Sequence, residues 1–83
     1  MTLEILYFAS LRERVGVSRE TVASDAATVR DLIAELGARS DAHAAAFADP
    51  AALRCAVDQE LAGLDAPLAG VRELAFFPPM TGG

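Results

Sequence analysis

Lysine is absent from this chain: all seven basic residues are arginines, set against twelve acidic ones, for a formal net charge of −5. A basic excess, the electrostatic footprint of nucleic-acid binding, is therefore missing, and a nucleic-acid partner is not expected. The acidic balance fits a basic partner surface instead, because complementary potentials speed encounter. Cysteine is nearly absent too. Cys55 stands alone, so no internal disulfide can form, and the chain suits a reducing compartment. Set in the run Arg54-Cys55-Ala56-Val57, it reads as a small buried hydrophobe rather than a nucleophile. The one histidine, His43, sits among alanines with no second ligand nearby; it reads as solvated, and no metal site is expected. No apolar run is long enough to cross a bilayer. The start lacks the basic region, apolar stretch and small-residue cleavage site of a secretion signal. These absences lead to the expectation of a soluble cytoplasmic protein with no membrane partner.

What is present is a hydrophobic chain of one-domain length, 83 residues with 53% apolar side chains. A domain of this size buries roughly 60% of its unfolded surface, enough for one modest core. Thr2 to Phe8 alternates as a strand: Leu3, Ile5 and Tyr7 take one face, Glu4, Leu6 and Phe8 the other. Because the second set is only partly polar, Leu6 and Phe8 leave an apolar strip facing away from the core. Ser10 to Val15 suggests one or two helical turns stopped by Gly16, and Arg19 to Ala23 a second strand pairing with the first. Val29, Leu32, Ile33 and Leu36 mark one face of an amphipathic helix. Thr28 is its N-cap, with Asp31 three residues on, and Gly37 is placed to close it in a left-handed conformation. Asp41 to Ala48 reads as a weaker helix ended by Asp49-Pro50. Arg54 to Asp58, Glu60 to Leu64 and Val71 to Phe77 complete the strands, and Ala66-Pro67-Leu68 is a loop. This order describes an α+β layer: a mixed four- to five-stranded sheet with one main helix packed on one face. The helical crossover leaves room for the first and last strands to run parallel at the centre. That arrangement is the β-grasp. The domain spans 1–77, followed by a flexible tail, 78–83.

No internal constellation points to an enzyme. No glycine-rich phosphate loop, Cys/His cluster or nucleophile–base pair is identifiable from spacing. Glu13 between Arg12 and Arg14, and Asp31 near Glu35, read as solvated helix faces. The distinctive stretch is the last one, Phe76-Phe77-Pro78-Pro79-Met80-Thr81-Gly82-Gly83. Two prolines have no N–H to give a ladder and fix φ near −65°, so they end the strand and project the chain. Fully extended, Pro78 to Gly83 reaches roughly 20 Å at 3.3–3.6 Å per residue. Gly82 and Gly83 remove every side chain near a terminal carboxylate, so the end can thread a narrow channel and let another backbone or a phosphate approach closely. Against this stands the plainer reading of a frayed end. The absence of lysine fits the same picture, since a chain that activates its own carboxylate has no lysine amine to attack it. Codon bias toward Arg and Ala is the stronger account of it.

The chain resembles the small subunits of molybdopterin synthase, the ubiquitin-like sulfur carriers of molybdenum cofactor biosynthesis. The resemblance runs through Phe8-Ala9-Ser10-Leu11-Arg12-Glu13, Thr28-Val29-Arg30-Asp31-Leu32, Ala56-Val57-Asp58-Gln59 and, most specifically, Ala75 to Gly83. Asp58 departs from the family pattern, where Asn commonly precedes the Gln, and Met80 stands where a smaller aliphatic is often found. The resemblance implies a β-grasp fold and a cycle in which an E1-like enzyme uses Mg-ATP to adenylate the Gly83 carboxylate. A persulfide-type donor then converts the acyl-adenylate to a thiocarboxylate. The tail, Pro78, Pro79, Met80, Thr81, Gly82 and Gly83, enters the large catalytic subunit, and the sulfur attacks cyclic pyranopterin monophosphate. It also implies a heterotetramer of two carriers and two large subunits, no stably bound cofactor, and a carrier that is not an enzyme on its own. Docking is expected on an apolar patch of Leu6 and Phe8 on the first strand with Leu74 and Phe76 on the last. Competing readings are a carrier for thiamin, cysteine or tRNA thiolation, a protein modifier joined to lysines, and a binding module with an incidental tail.

Overall fold

The computed structural model describes residues 1–78. Five strands form one mixed sheet in the order β2-β1-β5-β3-β4. The first strand, β1 (Thr2–Tyr7), carries the expected alternation: Leu3, Ile5 and Tyr7 are buried and their neighbours are not. After it the chain makes a short helix, α1 (Ala9–Val15), closed by Gly16 at φ 96°, whose N–H donates to the Arg12 carbonyl at 2.9 Å. Only glycine takes that left-handed conformation without a Cβ penalty. β2 (Arg19–Ala23) then pairs antiparallel with β1, Leu3 opposite Val22 and Ile5 opposite Glu20.

The main helix, α2 (Val29–Gly37), starts at Thr28, whose Oγ1 accepts the Asp31 N–H at 3.3 Å. Val29, Leu32, Ile33 and Leu36 are all buried against the sheet. Its end differs from expectation. Gly37 is the last helical residue, not a left-handed cap; the helix closes at Ala38, in right-handed geometry, whose N–H reaches the Glu35 and Leu36 carbonyls. A tightened last turn satisfies the terminal carbonyls there and dispenses with the left-handed turn. α3 (Asp41–Ala46) is capped by Ser40, whose Oγ accepts the His43 N–H at 3.1 Å. It is two residues shorter than expected, and a 3₁₀ turn over Pro50–Ala52 leads into β3 (Arg54–Val57). β4 (Glu60–Ala62) and β5 (Glu73–Phe77) complete the sheet. The intervening loop is not mere surface, for Leu68 is buried completely.

β1 and β5 run parallel side by side, Ile5 opposite Leu74 and Tyr7 opposite Phe76; β5 pairs antiparallel with β3 on its other edge. The core lies between this sheet and the helices. Phe47, just after α3, stacks edge-to-face on Phe76 with ring centroids 5.0 Å apart, and on Tyr7 at 6.2 Å. Such pairs add to area burial through favourable quadrupole contact. Burial pushes the Cys55 thiol up, and its Sγ donates to the Ala62 carbonyl at 3.3 Å, so the residue is the small core side chain its sequence context suggests.

His43 is not a solvated residue. Its Nδ1 lies 2.7 Å from Ser40 Oγ and its Nε2 2.7 Å from Glu20 Oε2, with 12% of the side chain exposed. The Tyr7 hydroxyl donates to the same Glu20 oxygen at 2.7 Å, so one carboxylate ties β1, β2 and α3 together. Burial alone would raise the Glu20 carboxyl. Hydrogen bonds from His43 and Tyr7, with the charges of His43 and Arg39, outweigh it and hold the group below the ordinary glutamate value. Burial, together with the Glu20 bond and charge, pushes the Tyr7 phenol up. A depressed carboxyl stabilises the fold above its unfolded pKa, and that contribution is lost as pH falls through the folded one. The melting temperature should therefore drop on acidification below the ordinary glutamate range, and Glu20→Gln should flatten that limb. Glu20→Ala strands a buried tyrosine hydroxyl and should cost about 1–3 kcal/mol, measured by urea unfolding at neutral pH.

Asp58 and Gln59 make the β3–β4 turn with left-handed φ of 47° and 73°. Asp58 Oδ1 also accepts the Arg72 and Glu73 N–H groups at 3.1 and 3.0 Å, fixing where β5 begins. Asn and Asp tolerate this conformation best after glycine, which gives a physical reason for either at this position. Asp58→Asn should change stability by less than about 0.5 kcal/mol. Asp58→Ala loses both bonds and should cost about 1–2 kcal/mol, read from the denaturant midpoint.

Candidate docking face and tail root

The sheet has one face under the helices and one face open. Side chains directly opposite on paired strands share a face, so the register assigns each residue. Leu74 and Phe76 stand opposite Ile5 and Tyr7 and are 0% exposed. They are core residues, and their expected place in a docking patch is corrected. The error is one of parity. Leu74-Ala75-Phe76-Phe77 is apolar on both faces, so alternation within that strand cannot say which set points outward.

The outer face carries the other set. Leu6, half-buried, stands opposite Ala75, and Ala75 stands opposite Ala56 on β3. Ala56 in turn faces Leu61 on β4, which is 72% exposed. Phe8 is 48% exposed just past the end of β1, and its N–H donates to the Phe76 carbonyl at 3.1 Å. Phe77, partly exposed, ends β5 opposite Arg54. Thus Leu6 and Phe8 belong to the open apolar face as expected; Phe77, Ala56 and Leu61 join them, and Ala75, on the same side by register, is itself buried at 8% exposure. A usable signal lay in β3: with Cys55 and Val57 turned inward, the antiparallel partner register carries Ala56 and its opposite number outward.

β5 is central in the sheet and hydrogen-bonded on both edges, so whatever follows Phe77 starts from a fixed point beside Phe8. Pro78 is the last residue described. It borders a cleft of about 220 Å³ between α1 and α3, whose lining includes Leu11, Arg14 and Asp49. Pro79, Met80, Thr81, Gly82 and Gly83, expected to form the threading tail, lie outside the described residues. Among the described residues no cluster of three or more His, Cys, Asp or Glu side chains is placed to hold a metal ion, and no helix is long and apolar enough to cross a membrane.

A mixed sheet with parallel first and last strands at its centre, β2 on one side, the β3–β4 pair on the other and one main helix across a single face is the ubiquitin-like β-grasp fold. Within that fold, the chain belongs to the ThiS family, whose model matches residues 5–83. It is 44% identical to the molybdopterin synthase sulfur carrier subunit of Escherichia coli K12 over 81 residues, covering 98% of this chain and 99% of that one. The same-named subunit of Haemophilus influenzae is 36% identical over the same shares. Among solved structures, SAMP1 from Haloferax volcanii superposes with a TM-score of 0.76 at 30% identity, covering all of both chains. A putative molybdopterin converting factor, subunit 1, from Pyrococcus furiosus gives 0.73 at 26% identity, over 96% of this chain and 99% of that one.

Proposed function

We propose that this chain is the sulfur carrier subunit of molybdopterin synthase. The observation that carries the reading is the 44% identity to the Escherichia coli sulfur carrier subunit across essentially the whole of both chains. The open apolar face beside the root of the tail supports it, because a carrier must be gripped before its end can be delivered. A carboxylate is a poor electrophile. An E1-like partner with Mg-ATP adenylates the Gly83 carboxylate and gives it a good leaving group. The outer sulfur of a persulfide donor displaces AMP to give an acyl disulfide; a second thiol cleaves its S–S bond, becoming a disulfide with the donor sulfur, and the released thiocarboxylate carries the sulfur to cyclic pyranopterin monophosphate in the large subunit. The carrier supplies the acyl group and the reach; its partners supply positioning and acid–base groups.

Thiocarboxylated protein mixed with the large subunit and pyranopterin precursor should yield molybdopterin. If authentic thiocarboxylate gives none, while a thiamin, cysteine or tRNA thiolation system accepts the sulfur, the pathway is wrong and the carrier chemistry stands. The likeness to SAMP1, a protein named elsewhere as a small archaeal modifier, favours a second reading as a lysine-linked protein modifier. Covalent adducts on many cellular proteins, resolved by mass spectrometry, would support that reading instead.

A further inference from the structure

The open sheet face is polarised along its strands. At the end far from the tail root, Glu4 and Glu73 stand opposite one another, with Asp58 in the neighbouring turn. The middle is the apolar row of Leu6, Ala75, Ala56 and Leu61. At the tail-root end stands Arg54, opposite Phe77. Glu4 is ion-paired with Arg19, so those two charges offset each other. Glu73, Asp58 and Arg54 have no ion-pair partner among the described residues. Arg14 also lies near the root, but Asp49 shares its cleft beside Pro78. One end, Glu73 and Asp58 less the exposed Arg72 that precedes Glu73, is left acidic by one charge, and the other carries a guanidinium, the two separated by four strand residues or about 13 Å. That exceeds a physiological Debye length of about 8 Å, so a partner meets the two ends as separate charges.

Apolar contact is non-directional. A row of small and aliphatic side chains would accept a partner in either sense along the strands, and only one sense brings the tail to the entrance meant for it. We infer that charge sets the docking sense: the partner face carries carboxylates at the mouth that admits the tail, against Arg54, and basic groups about 13 Å away, against Glu73 and Asp58. The inference rests on the carrier reading above and adds the chemistry of the partner surface. In the reversed pose like charges face each other, which rejects it.

The test is the association rate with the large synthase subunit, followed over a range of ionic strength. The double variant Arg54→Glu/Glu73→Arg keeps the net charge and inverts the polarity. It should associate about tenfold more slowly at low salt, and the difference should shrink as salt is added. Exchanging the exposed Arg30–Asp65 pair on the helical side, Arg30→Asp/Asp65→Arg, should leave the rate unchanged. Equal rates for the inverted and unaltered chains, or equal slowing by the control, overturn the inference while the carrier reading stands. No binding by the unaltered chain overturns both. If the double variant melts early, Arg54→Glu alone, at an exposed position, should still slow association and lose salt dependence.

Discussion

Deleting Gly83 should abolish sulfur transfer and leave the melting temperature unchanged. The two halves of that result have separate causes. On the stability side, among the described residues the buried cluster reaches no further along the chain than Phe76, and every strand and helix is closed before Pro78. On the chemical side, removing one residue withdraws the carboxylate by about 3.3–3.6 Å. A misplacement of 1 Å at a reacting centre can cost about 10²-fold, so transfer should fall by at least that factor. Appending one residue after Gly83 should block activation as completely, because the new carboxylate no longer sits where adenylation occurs. Adenylation by pyrophosphate release, transfer by molybdopterin formation and stability by calorimetry can be measured on one preparation. A large loss of stability would make the tail structural, and the carrier reading would lose its physical basis.

Phe76 and Phe77 are neighbours in sequence and should fail in opposite ways. Phe76 is fully buried, stacked on Phe47 and paired across the ladder with Tyr7 and Cys55. Phe76→Ala should cost about 3–5 kcal/mol. A domain of 83 residues has a net stability of roughly 4–12 kcal/mol at 0.05–0.15 per residue, so this variant should be partly unfolded or near it at 37 °C. Phe77 and Phe8 lie on the open face beside the tail root. Phe77→Asp or Phe8→Asp should leave the fold intact and weaken docking to the large subunit by about 30-fold, the equivalent of one aromatic hot spot worth 2 kcal/mol. Titration calorimetry for binding and thermal melts for folding separate the two classes. An unfolded Phe8→Asp variant, or a Phe76→Ala variant that melts normally, would show that the two faces of the sheet have been exchanged.

The architecture was legible wherever one period dominated. Leu3, Ile5 and Tyr7 alternate cleanly, and Val29, Leu32, Ile33 and Leu36 recur at helical spacing, so β1 and α2 follow from local pattern. The sense of β5 does not. Its residues are apolar on both faces, and only the parallel pairing with β1, which no local window contains, decides that Ala75 and Phe77 look outward. His43 escaped for a similar reason. Its partner Glu20 is 23 residues away on another element, and a histidine among alanines gives no local sign of a carboxylate waiting across the fold. Gly37 shows the opposite fault, a strong local signal overridden by a tightened last turn. The tail is a different case: Pro79 to Gly83 lie outside the described residues, so the threading and activation expected of them remain part of the carrier proposal.

The central claim is that the Gly83 carboxylate is the group on which sulfur is carried. The most direct measurement is the intact mass of the chain after incubation with its E1-like enzyme, Mg-ATP, a persulfide donor and a thiol reductant. A gain equal to exchanging one oxygen for one sulfur, present in the full chain and absent from the chain lacking Gly83, is the predicted result. An unchanged mass with partners that load another carrier in the same reaction would contradict it.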